Sequence, residues 1–294
     1  MNFVPAKQII TRTADGMNWF GCDYNMNIYR GCSHGCIYCD SRSDCYRIEN
    51  FSEIRAKAGA LALIERELKA KRKKGVVGTG AMSDPYNPEE AEHYLTGGAL
   101  ELIDKYGFGV SLLTKSALVT RDIDRFRRIA GHSPVCVMLT VTTAEDRLCS
   151  LIEPHVAVTS KRLAAVRELT AAGVFTGIVL MPVLPFINAM EENVAAVVTA
   201  AAAAGARFIY PGFGVTLRQN QREYYYRQLD RYFPGVKDRY VKTFGNRYEC
   251  VAPNARRLRE VFTRRCDRYG IVYRMPDIIA GYQQGYGSEQ MTLF

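Results

Sequence analysis

The run Tyr29-Arg30-Gly31-Cys32-Ser33-His34-Gly35-Cys36-Ile37-Tyr38-Cys39 decides how this chain is read. Three cysteines at i, i+4 and i+7 can ligate three irons of a four-iron cluster and leave the fourth iron open. A cluster closed by four thiolates carries electrons; an iron short of one protein ligand can chelate a small molecule through nitrogen and oxygen, and the site becomes reactive. The competing reading is a structural zinc, with His34, Cys22 or Cys45 as fourth ligand, since zinc accepts Cys and His in tetrahedral array. Zinc sites usually pair two short knuckles across a longer gap, and no second knuckle follows here. Cys136, Cys149, Cys250 and Cys266 are scattered singly, the pattern of small buried apolar residues. Cys22 and Cys45 flank the motif and stand as candidate functional thiols, with core packing as the alternative.

Outward from this loop the chain alternates short apolar strands with helices between about residues 25 and 217. Asn27–Tyr29 reads as a short strand leading into the loop. Ser52 to Lys74 reads as a capped amphipathic helix with Leu61, Ile64 and Leu68 on one face and a basic end that suits the C-terminal dipole. Strands follow at Val76–Met82, Gly109–Thr114, Val135–Thr142, Val174–Met181 and Arg207–Tyr210. The intervening helices are expected at Glu89–Lys105, Thr120–Ile129, Thr159–Ala172 and Glu191–Ala204. Such alternation implies a parallel sheet buried under helices. Periodicity alone does not separate a barrel from a doubly wound sheet.

The spacing CxxxCxxC with an aromatic before the last cysteine resembles the signature of radical S-adenosylmethionine (SAM) enzymes, and Cys32, Cys36, Tyr38 and Cys39 fit it. The resemblance implies a partial (β/α)6 barrel with a 4Fe-4S cluster on Cys32, Cys36 and Cys39. It further implies SAM on the open iron and a 5'-deoxyadenosyl radical that takes hydrogen from substrate. The cofactor carries the difficult chemistry while protein orients it and excludes water. In parallel barrels sites lie at the C-terminal ends of the strands, and the cluster loop follows the first strand as that rule requires. Strand ends then supply the other contacts. Gly78 to Tyr86 offers glycines for close approach and Ser83-Asp84 to receive an ammonium. Leu113-Thr114-Lys115 places an ammonium for the SAM carboxylate, and Thr140 and Thr142 add hydroxyls. Tyr38 is expected near the adenine. An ordinary turn at 83–85 and a solvated Lys115 are the alternatives.

Four passages bring the chain closer to the spore photoproduct lyase-related branch, also called DNA repair photolyase-like. They are the cluster loop, Ser83-Asp84-Pro85-Tyr86, Leu113-Thr114-Lys115, and Gly177 through Met181-Pro182-Val183-Leu184-Pro185-Phe186-Ile187-Asn188; the steps Glu153-Pro154 and Arg162-Leu163 also fit. One departure bears on mechanism: spore photoproduct lyases carry a hydrogen-donating cysteine just upstream of the Ser-Asp pair, where this chain has Ala81 and Met82. The donor would have to be Cys22, Cys45 or a tyrosine.

The chain has 294 residues, 48% hydrophobic and 23% charged, enough for one large domain or a domain with an appendage. No secretory signal or membrane-length apolar run is legible, and nine cysteines without framework spacing suit a reducing compartment, so the cytoplasm is expected. The organisation expected is an N-terminal extension (1–24), the barrel (25–217), a basic and mainly helical extension (218–280) and a flexible tail (281–294). Residues 216–274 hold 15 Lys and Arg against 6 Asp and Glu, which is the whole net charge of +9. Eight tyrosines lie in the same segment, among them Tyr224-Tyr225-Tyr226, with arginines at 256, 257, 259, 264, 265 and 268. Arginines that neutralise phosphates beside aromatics on which bases stack point to DNA, against a solvated helix over core tyrosines. The last residues, Gln290-Met291-Thr292-Leu293-Phe294, resemble the peptide by which bacterial DNA repair and replication proteins bind the sliding clamp. The expected protein is therefore a radical SAM enzyme acting on damaged or modified DNA. The alternatives are a radical SAM enzyme on RNA or peptide, and a non-catalytic metal-binding adaptor between DNA and clamp.

Overall fold

The first core strand is fixed by pairing that spans the chain. In the computed structural model, which describes residues 1–13 and 19–286, β1 (Tyr24–Met26) lies parallel to β2 (Val76–Thr79). β3 (Gly109–Thr114), β4 (Val135–Thr140), β5 (Thr176–Leu180) and β6 (Ile209–Pro211) follow in order, each parallel to the last. Ile10–Arg12 closes the far edge antiparallel to β1. Six parallel units in sequential order make the partial (β/α)6 barrel expected from the sequence. β4 and β5 are buried along their whole length, as strands covered on both faces must be.

The alternation of side chains separates two layers. Val77, Val110, Leu112, Val137, Leu139 and Ile178 meet the helices in one core, with Ile64, Leu100, Phe126, Val166 and Val197. Val76, Cys136, Met138, Val179 and Phe208 belong to a second cluster with Phe20, Cys22, Ile278 and Tyr282, which is the barrel interior. Its lower end is closed by aromatic packing: Phe175 stacks on Phe208 at 5.6 Å, and the Tyr282 hydroxyl donates to the Phe20 carbonyl at 2.6 Å. Tyr282 comes from the helix Met275–Gln283, which folds back beneath the strands. Just before it, Val272 pairs with Phe208 beside β6 and extends the sheet. No described helix is long and apolar enough to cross a membrane.

Three expected elements differ. The helix expected from Ser52 begins only at Ala60, because Arg55–Lys57 is instead the centre of a small sheet between Asn2–Val4 and Tyr29–Arg30. That sheet also takes Tyr29 from the expected first strand. The helix expected over Glu89–Lys105 breaks at Tyr94, which has φ 52°. Buried Glu90 then accepts from the amides of Thr96 at 2.9 Å and Gly97 at 3.3 Å, satisfying free N–H groups at the start of the second piece.

After β6, Gly214–Thr216 pairs antiparallel with Glu249–Val251, and the helices Gln221–Tyr232 and Val236–Phe244 lie between them in sequence. The helix Ala255–Tyr269 buries Leu258, Val261, Phe262 and Cys266, an i, i+3, i+4, i+8 stripe, and leaves Arg256, Arg257, Arg259, Arg264 and Arg268 exposed. It packs along Glu191–Ala203.

Candidate active site at the C-terminal ends of the strands

The cluster loop is held by its backbone before any metal enters. Gly31 has φ +80°, and a Cβ there would lie 2.2 Å from the Glu53 carbonyl oxygen, so no side chain fits. The Cys32 amide donates to Phe51 at 2.7 Å and the Ile37 amide to Ile152 at 3.0 Å. Cys32 and Cys36 are buried and Cys39 half-buried. Burial raises all three thiols, Cys32 to about 11, so they stay protonated until a metal displaces the proton. Among the described residues no three His, Cys, Asp or Glu side chains converge on one metal position. A cubane takes each thiolate on a separate iron, and three thiols on one loop are a donor set that such a cluster could use.

Ser83 and Asp84 face the loop. The Ser83 hydroxyl donates to the Gly31 carbonyl at 2.5 Å. Asp84 accepts from the Tyr86 amide at 2.9 Å, the Thr114 hydroxyl at 2.6 Å and the Lys115 amide at 2.8 Å, and lies 3.5 Å from Nδ1 of His34. One carboxylate thus joins the end of β2, the end of β3 and the cluster loop, with both oxygens engaged. Burial, more than Asp84 offsets, lowers the His34 pKa.

Beneath Tyr38 lies a buried ion pair. Glu153 accepts from the Tyr38 hydroxyl and pairs with Nη1 of Arg162 at 2.6 Å. Arg162 also donates to the carbonyls of Thr140 at 2.8 Å and Ala157 at 2.6 Å. Burial pushes the Glu153 carboxyl up, but Arg162, Lys115 and the Tyr38 hydroxyl outweigh it and hold the group ionised. Lys115 is likewise kept protonated: burial disfavours its charge, and the carboxylates of Glu153 and Asp84 restore it. Its ammonium stands 5.9 Å from the centre of the Tyr38 ring.

A cavity of about 490 Å³ opens over these groups, within the range of small-molecule sites. Tyr38, Cys39, Gly80, Lys115 and Thr140 line one side, and Phe213, Val215, Glu249, Cys250 and Arg259 the other. At Gly80, φ is +98° and a Cβ would meet the Leu113 carbonyl oxygen at 1.9 Å, so two strand ends close up without a side chain between them. Of the residues expected from sequence, Tyr38, Lys115 and Thr140 come together in this wall. Ser83 and Asp84 buttress the loop, and Thr142 is buried, its carbonyl accepting from Asn188 at 2.7 Å and its hydroxyl unpartnered. Cys22 sits in the barrel interior with Cys136, its pKa raised to about 11 by burial. Cys45 is exposed and takes a contact from Arg218 at 3.4 Å. Ala81 does line the cavity. Sequence reasoning passed over Cys250, a thiol in this wall, and over the pairing of Glu153 with Arg162; charged residues inside the apolar runs around Ile152 and Leu163 were the available sign. In the basic segment, Tyr225 and Tyr240 are core residues joined hydroxyl to hydroxyl at 2.9 Å, while Tyr224 carries Arg42 over its ring at 4.1 Å. The clamp-like residues Gln290, Met291, Leu293 and Phe294 lie outside the described residues.

A family model described as the radical SAM superfamily matches residues 26–198. An uncharacterized protein of Mycobacterium tuberculosis (strain ATCC 25618 / H37Rv) is 29% identical over 229 residues, 75% of this chain and 67% of its own length. One of Methanocaldococcus jannaschii is 34% identical over 175 residues, 58% of this chain and 64% of that protein. Among solved structures, spore photoproduct lyase complexed with dinucleoside spore photoproduct aligns with a TM-score of 0.65 at 15% identity, covering 91% of this chain and 79% of that one. A mutant of the same lyase with bound AdoMet and dinucleoside spore photoproduct gives 0.62 at 17% identity, over 84% and 74% of the two chains. These likenesses show a shared fold.

Proposed function

The chain belongs to the radical SAM superfamily, and on that premise we propose that it is an enzyme acting on DNA, at a damaged or modified base, in a reaction related to that of spore photoproduct lyase. The observation that carries this reading is the cavity, lined by residues at the strand ends, Tyr38 and Lys115 among them, and also by Thr216, Glu249, Cys250 and Arg259 of the one strongly basic segment of the chain. A 4Fe-4S cluster with SAM bound supplies one-electron cleavage of the sulfonium and a 5'-deoxyadenosyl radical.

The protein's own part is placement. Cys32, Cys36 and Cys39 would hold the cluster, and the fixed ammonium of Lys115 would pair with the SAM carboxylate. Asp84 and Ser83 keep the loop registered on β2 and β3. Glu153 and Arg162 fix the Tyr38 ring against the end of β4. Leu113, Val179, Phe213 and Val215 give the cavity apolar walls that exclude water. The exposed arginines of Ala255–Tyr269, with Arg259 reaching the cavity, would neutralise DNA phosphates. Because Ala81 brings no thiol to the wall, the hydrogen return differs from that of a spore photoproduct lyase.

The test is 5'-deoxyadenosine yield from cluster-loaded protein offered ultraviolet-damaged or alkylated DNA, RNA of the same sequence, or a peptide pool. Stimulation by damaged DNA alone is expected; stimulation by RNA or peptide alone would overturn the choice of substrate. We extend the proposal to the tail: deleting Gln290 to Phe294 removes co-elution with a bacterial sliding clamp and leaves SAM cleavage intact. Unchanged co-elution would remove the clamp from the account.

A further inference from the structure

A second concavity adjoins the cavity. It is a groove of about 350 Å³ between residues 42–51, which leave the cluster loop, and the helix Gln221–Tyr232. Asp40 and Ser41 line the cavity, and the next residues, Arg42 and Ser43, line the groove. Ser41 and Arg42, consecutive in the chain and about 3.8 Å apart between Cα atoms, thus line one site each.

Arg42 is its fixed centre. The guanidinium lies between two rings, 4.8 Å from the centroid of Phe51 and 4.1 Å from that of Tyr224. Its Nη2 donates to the Ser52 hydroxyl at 2.9 Å, while its Nε–H is buried and has no hydrogen-bond partner. Asn220 reaches across the groove to donate to the Arg42 carbonyl at 3.1 Å and so ties the two walls together. Asn220 precedes the 12-residue helix Gln221–Tyr232, and Tyr224 and Arg227 follow at i and i+3 on its first turns; that end of a helix favours anions. Arg47 and Arg227 are exposed on opposite walls. Asp44 and Glu49 line the groove as well, so three cations face two carboxylates. That balance suits one phosphate flanked by base amino groups better than a long polyanion, since carboxylates accept from those groups.

Enzymes that do chemistry on a base take the nucleotide out of the stack, and its backbone must then be held at the rim of the pocket. We propose that this groove binds the phosphodiester next to the nucleotide that enters the cavity, with Arg42 as the preordered contact and Arg47 and Arg227 closing from either side. The inference rests on the reading of the substrate as DNA and specifies where the flanking phosphate goes.

The test is fluorescence anisotropy of a fluorescein-labelled thymine-rich single strand with cluster-loaded full-length protein across a salt series. Losing one neutralised phosphate lowers the slope of log K against log salt by about 0.7 for single strands, and the groove holds one. Arg47→Gln combined with Arg227→Gln is expected to lower the slope by about that amount and to weaken binding most at low salt. Arg42→Gln is expected to do the same. Lys69→Gln combined with Arg72→Gln removes equal charge at the opposite end of the strands and is expected to keep the wild-type slope. Iron content and melting temperature, measured on each variant, identify any that misfold. A wild type that binds with an unchanged slope in the groove variants would overturn the groove while leaving DNA as substrate. A wild type with no salt-dependent binding would overturn the DNA reading itself. Groove variants that bind DNA normally but accept electrons more slowly from an acidic redox protein would reassign the groove to that partner.

Discussion

The same six strands end in two different chemistries. At their N-terminal ends the barrel interior is packed with Phe20, Cys22, Phe175, Cys136, Phe208 and Tyr282, and Cys22 and Cys136 behave as small apolar residues with thiols raised by burial. At their C-terminal ends Lys115, Thr140, Gly80 and Cys39 line a cavity, and the Glu153–Arg162 pair lies buried beneath Tyr38. A cysteine's burial therefore says little about its role: Cys32 and Cys36 are buried, as Cys22 and Cys136 are, and what differs is that they lie on one loop beside Cys39. The lower end packs apolar groups, and the upper end gathers polar and charged ones.

That comparison can be broken by experiment, with the largest effect at the upper end. Cys36→Ala should abolish 5'-deoxyadenosine formation under dithionite, measured by chromatography; wild-type turnover would remove the cluster assignment. Next come two variants of similar thermodynamic weight and opposite function. Glu153→Ala leaves Arg162 buried and unpaired and should cost about 3–5 kcal/mol in denaturant unfolding, with a perturbed electron paramagnetic resonance spectrum of the reduced cluster; Glu153→Gln should cost less. Phe208→Ala should also cost about 3–5 kcal/mol but leave that spectrum unchanged. If the two spectra change alike, the ends are not independent. Lys115→Ala should weaken SAM binding by about 10- to 100-fold, the worth of one hydrogen bond to a charged group, with little loss of stability. The smallest effect is expected of Cys136→Ala, about 1 kcal/mol in unfolding and none on SAM cleavage.

How much of this was legible in the sequence follows from how local each feature is. β3, β4 and β5 could be read to within a residue or two because each is a continuous apolar run between turn signals. The first strand and the helix after it were misplaced because Arg55–Lys57 is held by partners about 26 and 53 residues away in sequence, at Tyr29–Arg30 and Asn2–Val4, which no window of the chain displays. Cys32, Cys36 and Cys39 stood out by spacing, and Lys115 by its place at a strand end, where it lines the cavity with Cys39. Ser83 and Asp84 were read as ligands of SAM; within the protein they also hydrogen-bond to Gly31, Tyr86, Thr114 and Lys115, a second use that the sequence does not display. Likewise Tyr225 and Tyr240 carry the composition of a stacking surface and the burial of a core. Arg162 and Glu153 meet only after a turn brings a loop back onto a helix.

The central claim is that the loop Cys32–Cys39 carries an open-iron cluster at which SAM is cleaved. The most direct test is anaerobic: reconstitute with iron and sulfide, reduce with dithionite, add SAM and assay 5'-deoxyadenosine. The account predicts its formation with about four irons per chain. No 5'-deoxyadenosine, with about one tightly held zinc per chain, would contradict it.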